Sequence, residues 1–263
     1  MIANFFQSLK HHAVEYLLIS GQATVLYGAA TFSEDIDLWL HPTEDNCSRF
    51  LAALRDRNAR YYKLTPPLTI QHLVRGHGFH FVLADRDEPD AFLDVMGAPP
   101  RVGSFADALA HARTMDSEWG QLPTIGLRAL VDLKKTQRLE DYPIISKLAV
   151  AWFDQPECAK AAEDFVWAAD NLFTLPELRL FFEEQPGALL AIGREPVAGL
   201  KEFAQQLLST GDVTEEVAVR VNLGMQQRIA SLQQADRRYW RDIIAELKQL
   251  RSTGKLMPEG TAA

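Results

Sequence analysis

The sequence predicts an α/β (α+β) fold, a mixed β-sheet with flanking helices followed by a helical C-terminal region. Three observations lead there. Short apolar or alternating runs bounded by turn residues recur through the first 97 residues, interleaved with segments of helical periodicity. Two of those runs, Phe79 to Ala84 and Ala91 to Met96, flank the acidic stretch Asp85-Arg86-Asp87-Glu88-Pro89-Asp90 as the arms of a hairpin. Beyond about residue 125 the strand signals fade, and Ala, Leu, Glu and Gln dominate.

Taken in order, residues 4–15 place Phe5, Leu9 and Val14 at helical spacing. Tyr16 to Ile19 is a continuous apolar run ending at Ser20-Gly21, which reads as a buried strand meeting a tight turn. Gln22 to Ala30, rich in small residues, suits a short helix, and Ile36 to Leu40 a second strand stopped by His41-Pro42. Thr43 is placed to cap a helix whose first turn holds Glu44 and Asp45 and which runs to about Arg57. Leu127 to Arg138 is amphipathic, and Asp141-Tyr142-Pro143 opens a further helix, proline being tolerated in a first turn. Between Gly224 and Gly254 there is neither glycine nor proline, and Met225, Ile229, Leu232, Tyr239, Ile243, Leu247 and Leu250 form one stripe of a long helix or two stacked ones. The residues from Pro258 on read as frayed. The aromatics Trp152, Phe165, Trp167, Phe173, Phe181 and Phe182 fall in helical context, where core packing explains them.

Composition excludes several classes. With 47% hydrophobic and 24% charged residues the chain is neither collagenous, disordered nor a disulfide miniature. No apolar run approaches the ~18–20 residues that cross a bilayer, and no signal-peptide core opens the chain, so a cytoplasmic protein without membrane contact is expected. Cys47 and Cys158 are expected to remain buried thiols. A net charge of −8 argues against a general nucleic-acid coat. One stretch departs from it: between Met225 and Lys255 seven basic residues face three acidic ones, so this part is +4 and the rest −12. A solvated helix face accounts for that excess, and a contact for an RNA acceptor is the functional alternative.

Chemistry concentrates around Ile19-Ser20-Gly21 and Asp35-Ile36-Asp37-Leu38-Trp39. Side chains alternate along a strand, so Asp35 and Asp37 share a face while Ile36 and Leu38 enter the core. Two carboxylates so close on an apolar strand repel one another and resist desolvation, and a hard divalent cation is the usual compensation. A third acid, Asp94, lies inside Phe92-Leu93-Asp94-Val95-Met96. Ser20-Gly21 sits where a strand becomes a helix, a place where backbone amides favour anions. His77 and His80 have a spacing seen among metal ligands, but lack a nearby Cys or third ligand and read as surface or strand histidines. Walker, G-x-G-x-x-G and G-x-S-x-G fingerprints are absent.

These residues resemble the signature of the DNA polymerase β-type nucleotidyltransferase superfamily: a hydrophobic residue, Gly, Gly or Ser, a spacer, then Asp-h-Asp/Glu-h. Ile19, Ser20 and Gly21 fill the first part, residues 22–34 form a 13-residue spacer, and Asp35-Ile36-Asp37-Leu38 fill the second. The fuller string Ser-Gly-Gln-Ala, Tyr-Gly and Ser33-Glu34-Asp35-Ile36-Asp37 is similar to the minimal, AbiEii-toxin-like prokaryotic branch. Lys134 followed by Arg138-Leu139-Glu140-Asp141 resembles a second motif of that branch. Two positions depart: the family's first glycine is Ser20, and Thr31 stands where many relatives carry arginine.

The resemblance implies a nucleotidyltransferase catalytic core over 1–125 and a helical region over 126–263. It implies transfer of a nucleoside monophosphate from an NTP to an acceptor hydroxyl with two Mg²⁺ ions, held by Asp35, Asp37 and Asp94. Ser20, Gly21, Ser33, Lys134 and Arg138 would bind the nucleotide. The acceptor is left open among RNA such as tRNA, a protein or an aminoglycoside-like small molecule. A toxin–antitoxin or phage-defence setting would add an antitoxin partner. The alternative is a catalytically silent module of the same fold that binds a nucleotide, RNA or a partner, which the two departures favour.

Overall fold

The computed structural model describes residues 1–84 and 89–263, so most of the expected acidic turn, Asp85 to Glu88, lies outside the described residues. The described chain forms two compact units, Met1–Leu133 with Arg238–Ala263, and Lys134–Arg237. This division differs from the expected 1–125 and 126–263.

The first unit begins with α1 (Ile2–His11), β1 (Tyr16–Ile19), α2 (Ser20–Leu26), β2 (Ile36–Leu40) and α3 (Glu44–Asp56). It continues with β3 (Arg60–Tyr61), α4 (Ile70–Val74), β4 (Gly78–Leu83), β5 (Ala91–Met96) and α5 (Phe105–Ala110). β6 (Arg113–Ser117), β7 (Gly120–Thr124) and α6 (Leu127–Leu133) complete its first segment. The seven strands form one mixed sheet in the order β3-β4-β5-β2-β1-β7-β6. β1 runs antiparallel to β2 and parallel to β7, β2 parallel to β5, and β5 antiparallel to β4.

Every residue of β1 is buried, as an unbroken apolar strand in mid-sheet requires. β4 and β5 alternate instead, as β2 does over Ile36 to Leu38. Ile36, Leu38, Leu40, Phe79, Phe81, Leu83, Leu93 and Val95 enter one core with Phe5, Phe6 and Leu9 of α1 and Phe50 and Leu54 of α3. The period of two then sends Asp37, His80 and Asp94 to the opposite face of the sheet. Thr43 caps α3 as expected, its hydroxyl accepting the Asn46 N–H.

Several elements depart from expectation. α1 stops at His11 rather than near residue 15, because Ala13 takes a left-handed backbone with φ of 51°. α2 stops at Leu26, and Gly28 at φ of 76° forms the turn beyond it. β3, β6 and β7 have weak sequence signals: β6 is polar, and β7 contains Pro123 and buries Leu122 and Thr124. The C-terminal residues are not frayed. Tyr61 donates its N–H to the Thr261 carbonyl (2.8 Å), and the Gly260 and Ala263 amides bond the carbonyls of Tyr61 and Ala59, so the tail pairs along β3.

The second unit contains α7 (Asp141–Ala151), a 3-10 turn at Trp152–Asp154, α8 (Ala162–Asp170), α9 (Leu175–Glu184), α10 (Ala188–Ala191) and α11 (Leu200–Thr210). α12 (Glu215–Ser252) crosses the boundary between the units at Arg237. Phe153, Phe181, Phe182, Phe203, Leu207, Val221 and Met225 form this unit's core. Cys47 is a buried thiol, whereas the Cys158 thiol is only half-buried, contrary to the expectation for it. Among the described residues no helix is long and apolar enough to cross a membrane.

Candidate active site

The site begins where β1 ends. Ile19 stands opposite Asp37 of β2, and Ser20 then bends the chain at φ of 56°, a left-handed backbone uncommon for a residue with a side chain. After this bend the Gly21 N–H and the Ser20 hydroxyl lie near enough to the Asp37 carboxylate to favour its anion. Thr24 secures the turn by donating its hydroxyl to the Ser20 carbonyl (2.7 Å).

Gly21 is required for a steric reason. A Cβ there would stand 2.1 Å from Ser33 Oγ and 2.9 Å from Ser33 Cβ. Without one, the segment before β2 folds down onto the turn. Gln22 Nε2 donates to the Ser33 carbonyl (2.9 Å), and Ser33 Oγ donates to the carbonyl of Asp35 (3.3 Å). Ser20, Gly21, Ser33 and Asp35 are thereby gathered about the start of β2.

A row of polar side chains crosses the sheet from there. Asp37 of β2 is in register with Asp94 of β5, and Asp94 with His80 of β4. Neighbouring strands lie ~4.8 Å apart, so the two carboxylates share one patch of sheet. His80 Nδ1 lies 2.7 Å from Asp94 Oδ1, and both side chains are about one-quarter exposed, at 27% and 28%. An ionised carboxylate only accepts hydrogen bonds, so beside ionised Asp94 the proton of this bond sits on Nδ1.

Burial pushes the Asp37 carboxyl up to about 7, with the charge of Asp94 next in importance and that of Asp35 adding to it. The Gly21 N–H and Ser20 hydroxyl oppose this rise by stabilising the anion. The other two expected acids therefore both act on this carboxyl. Among the described residues no set of three or more His, Cys, Asp or Glu side chains forms a ready-made metal cage. Mg²⁺ needs less, being commonly held by one or two carboxylates with water and substrate phosphates. Asp37 and Asp94 offer hard oxygen donors, and a divalent cation relieves the repulsion between them. The donor set fits that ion.

The structure brings Ser20, Gly21, Ser33, Asp35, Asp37 and Asp94 together in the first unit. Lys134 and Arg138 belong to the second, and they do not share a helix as expected. α6 ends at Leu133, where the Arg101 guanidinium takes the terminal carbonyls of Asp132 (2.9 Å) and Leu133 (3.2 Å). Lys134 is buried with its ammonium on Asp141 Oδ1 (3.0 Å), while Arg138 is exposed in the turn before α7. The partner that sequence reasoning missed is His80. Its signal lies in the alternation Phe79-His80-Phe81, which sets it on the face opposite the core, but its pairing with Asp94 depends on the hairpin register.

No family model and no curated protein matches the chain. Among solved structures it is similar to an antigenic nucleotidyltransferase-like protein from Paracoccidioides brasiliensis, with 12% identity and a TM-score of 0.34 over 74% of this chain and 91% of that one. At that level of similarity nothing about this chain's function follows from it.

Proposed function

We propose that the chain is a Mg²⁺-dependent nucleotidyltransferase of the DNA polymerase β type, on its minimal, AbiEii-like branch. The observation that supports this most is the register of Asp37 with Asp94, with Asp35 adding its charge, beside a strand-to-helix bend whose hydroxyl and amide favour the Asp37 anion. In the reaction an acceptor hydroxyl oxygen bonds to the α-phosphorus of an NTP, the α-phosphorus–oxygen bond to the β-phosphate breaks, and pyrophosphate leaves. Asp35, Asp37 and Asp94 would hold the divalent ions, which when bound neutralise phosphate charge and polarise the reacting oxygens. The Ser20-Gly21 turn and the Ser33 hydroxyl would turn their donors from Asp37 and the Asp35 carbonyl to the triphosphate when it binds. Asp94 has a second oxygen besides the one His80 engages, and this one serves as metal ligand or accepts the hydroxyl proton.

Incubation with each labelled NTP and Mg²⁺, offering total RNA, the protein itself or an aminoglycoside as acceptor, tests the proposal. Label transfer that disappears in Asp37→Ala supports it. Nucleotide binding without turnover on any acceptor supports the second reading, a silent nucleotide-binding module, which the strained Ser20 in place of glycine and Thr31 in place of arginine favour. A cytoplasmic toxin or phage-defence role is the proposed setting. It predicts growth arrest on expression that Asp37→Ala relieves.

A further inference from the structure

We infer that His80 is a positioning residue that fixes which oxygen of Asp94 faces the divalent ion; this rests on the metal-site reading above. A carboxylate rotates almost freely about its last torsion, since that torsion is broad and two-fold. The bond from His80 Nδ1 to Asp94 Oδ1 at 2.7 Å removes this freedom and leaves Oδ2 as the oxygen to offer. The histidine is itself held. Its N–H donates to Thr65 Oγ1 (3.2 Å), and its carbonyl accepts the Tyr62 N–H (2.9 Å). Its ring lies beside the bare backbone of Gly78, with Nε2 and Cε1 3.5 and 3.6 Å from where a Cβ would stand. A pinned backbone and a packed ring let one nitrogen orient a neighbour across the strand pair. Partners of this kind stand behind metal ligands generally, and removing one typically costs ~10–100-fold in metal affinity or activity.

The test is Mn²⁺ affinity without turnover, read from the free-ion electron paramagnetic signal in the presence of the α,β-methylene analogue of ATP. His80→Phe keeps a packed ring and removes the donor, and is expected to weaken Mn²⁺ binding by ~10–100-fold. His80→Asn, whose amide nitrogen takes the place of Nδ1, is expected to recover most of that loss. His80→Ala gives a third reading should the larger ring distort the sheet. Wild-type affinity in both Phe and Ala variants overturns the proposal, as does equal weakening in Phe, Ala and Asn. Asp94→Asn separates the two levels. If it binds Mn²⁺ as the wild type does, the metal-site reading falls and His80's role with it; if it loses Mn²⁺ while His80→Phe does not, only the role of His80 falls.

Discussion

Asp37 and Asp94 face each other in register across the parallel strands β2 and β5, and the charge on the second raises the pKa of the first. Two acids placed side by side on a half-buried sheet face destabilise the metal-free fold. The cost is borne where the Gly21 amide and Ser20 hydroxyl converge, so the strain belongs to the site rather than to the scaffold.

The metal-free protein should therefore lose stability as pH rises. Burial holds the Asp37 carboxyl at about 7 in the folded chain against its ordinary value of 3.8. Between those values the native state holds a proton that the unfolded chain has released, so stability falls as pH climbs from about 4 to 7 and is level above. The full shift corresponds to at most roughly 4 kcal/mol, less whatever share of the charge water screens. Melting curves in EDTA at pH 5 and pH 8 measure it. Mg²⁺ should raise the melting temperature at pH 8 and do little at pH 5, and Asp37→Asn should flatten the pH dependence. A profile that rises from pH 5 to 8 in EDTA contradicts the account.

Local signals make much of this legible in the sequence. β2 and β5 appear over the expected residues because period-two alternation with one apolar face specifies both strand and face. The same alternation set Asp37 and Asp94 away from the core. What stayed hidden depends on pairing between distant segments. β6 has almost no apolar face of its own, β3 is two residues long, and the tail from Pro258 on is ordered by β3 rather than by its own sequence. His80 was readable as a strand residue but not as the partner of Asp94, because its opposite number follows from the register Leu83 to Ala91. The helical pattern continues through Lys134, but the helix ends at Leu133, where Arg101, some thirty residues earlier in the chain, takes the last carbonyls.

Gly21→Ala should fail for a defined reason. Its new Cβ collides with the Ser33 side chain, and overpacking of this kind typically costs ~1–3 kcal/mol. Adding Ser33→Gly removes both clashing atoms, so the double variant should recover stability toward wild type. Thermal melts of the single and double variants check this. No recovery in the double variant would mean that glycine is needed at position 21 for another reason.

Ser20 combines an unfavourable backbone with a useful hydroxyl, and two substitutions separate them. Ser20→Ala keeps φ near 56° and loses the donor to Asp37, so the protein should be less stable by ~1 kcal/mol at pH 8. Ser20→Gly loses the same donor but relieves the left-handed strain, worth ~1–2 kcal/mol, and should end at or above wild-type stability. Both should move the pH-dependent loss of stability to higher pH, because one donor to the Asp37 anion is gone. Equal melting temperatures for the alanine and glycine variants would argue against the backbone strain.

Lys134 decides between a ligand role and an architectural one. Lys134 and Asp141 are both buried, their side chains 9% and 10% exposed, and Thr136 donates its hydroxyl to the other oxygen of Asp141 (2.8 Å). Removing one partner of a buried pair leaves a charge without compensation, so Lys134→Met should destabilise by ~3–5 kcal/mol in urea titrations. Exchanging both, as Lys134→Met with Asp141→Leu, removes the stranded charge and should recover a large part of that loss. A residue that instead binds triphosphate gives the opposite pattern, with NTP affinity reduced and the urea midpoint unchanged. Ion pairing within the Lys134 and Arg138-x-x-Asp141 motif would then be a by-product of nucleotide binding rather than the reason for burying a lysine.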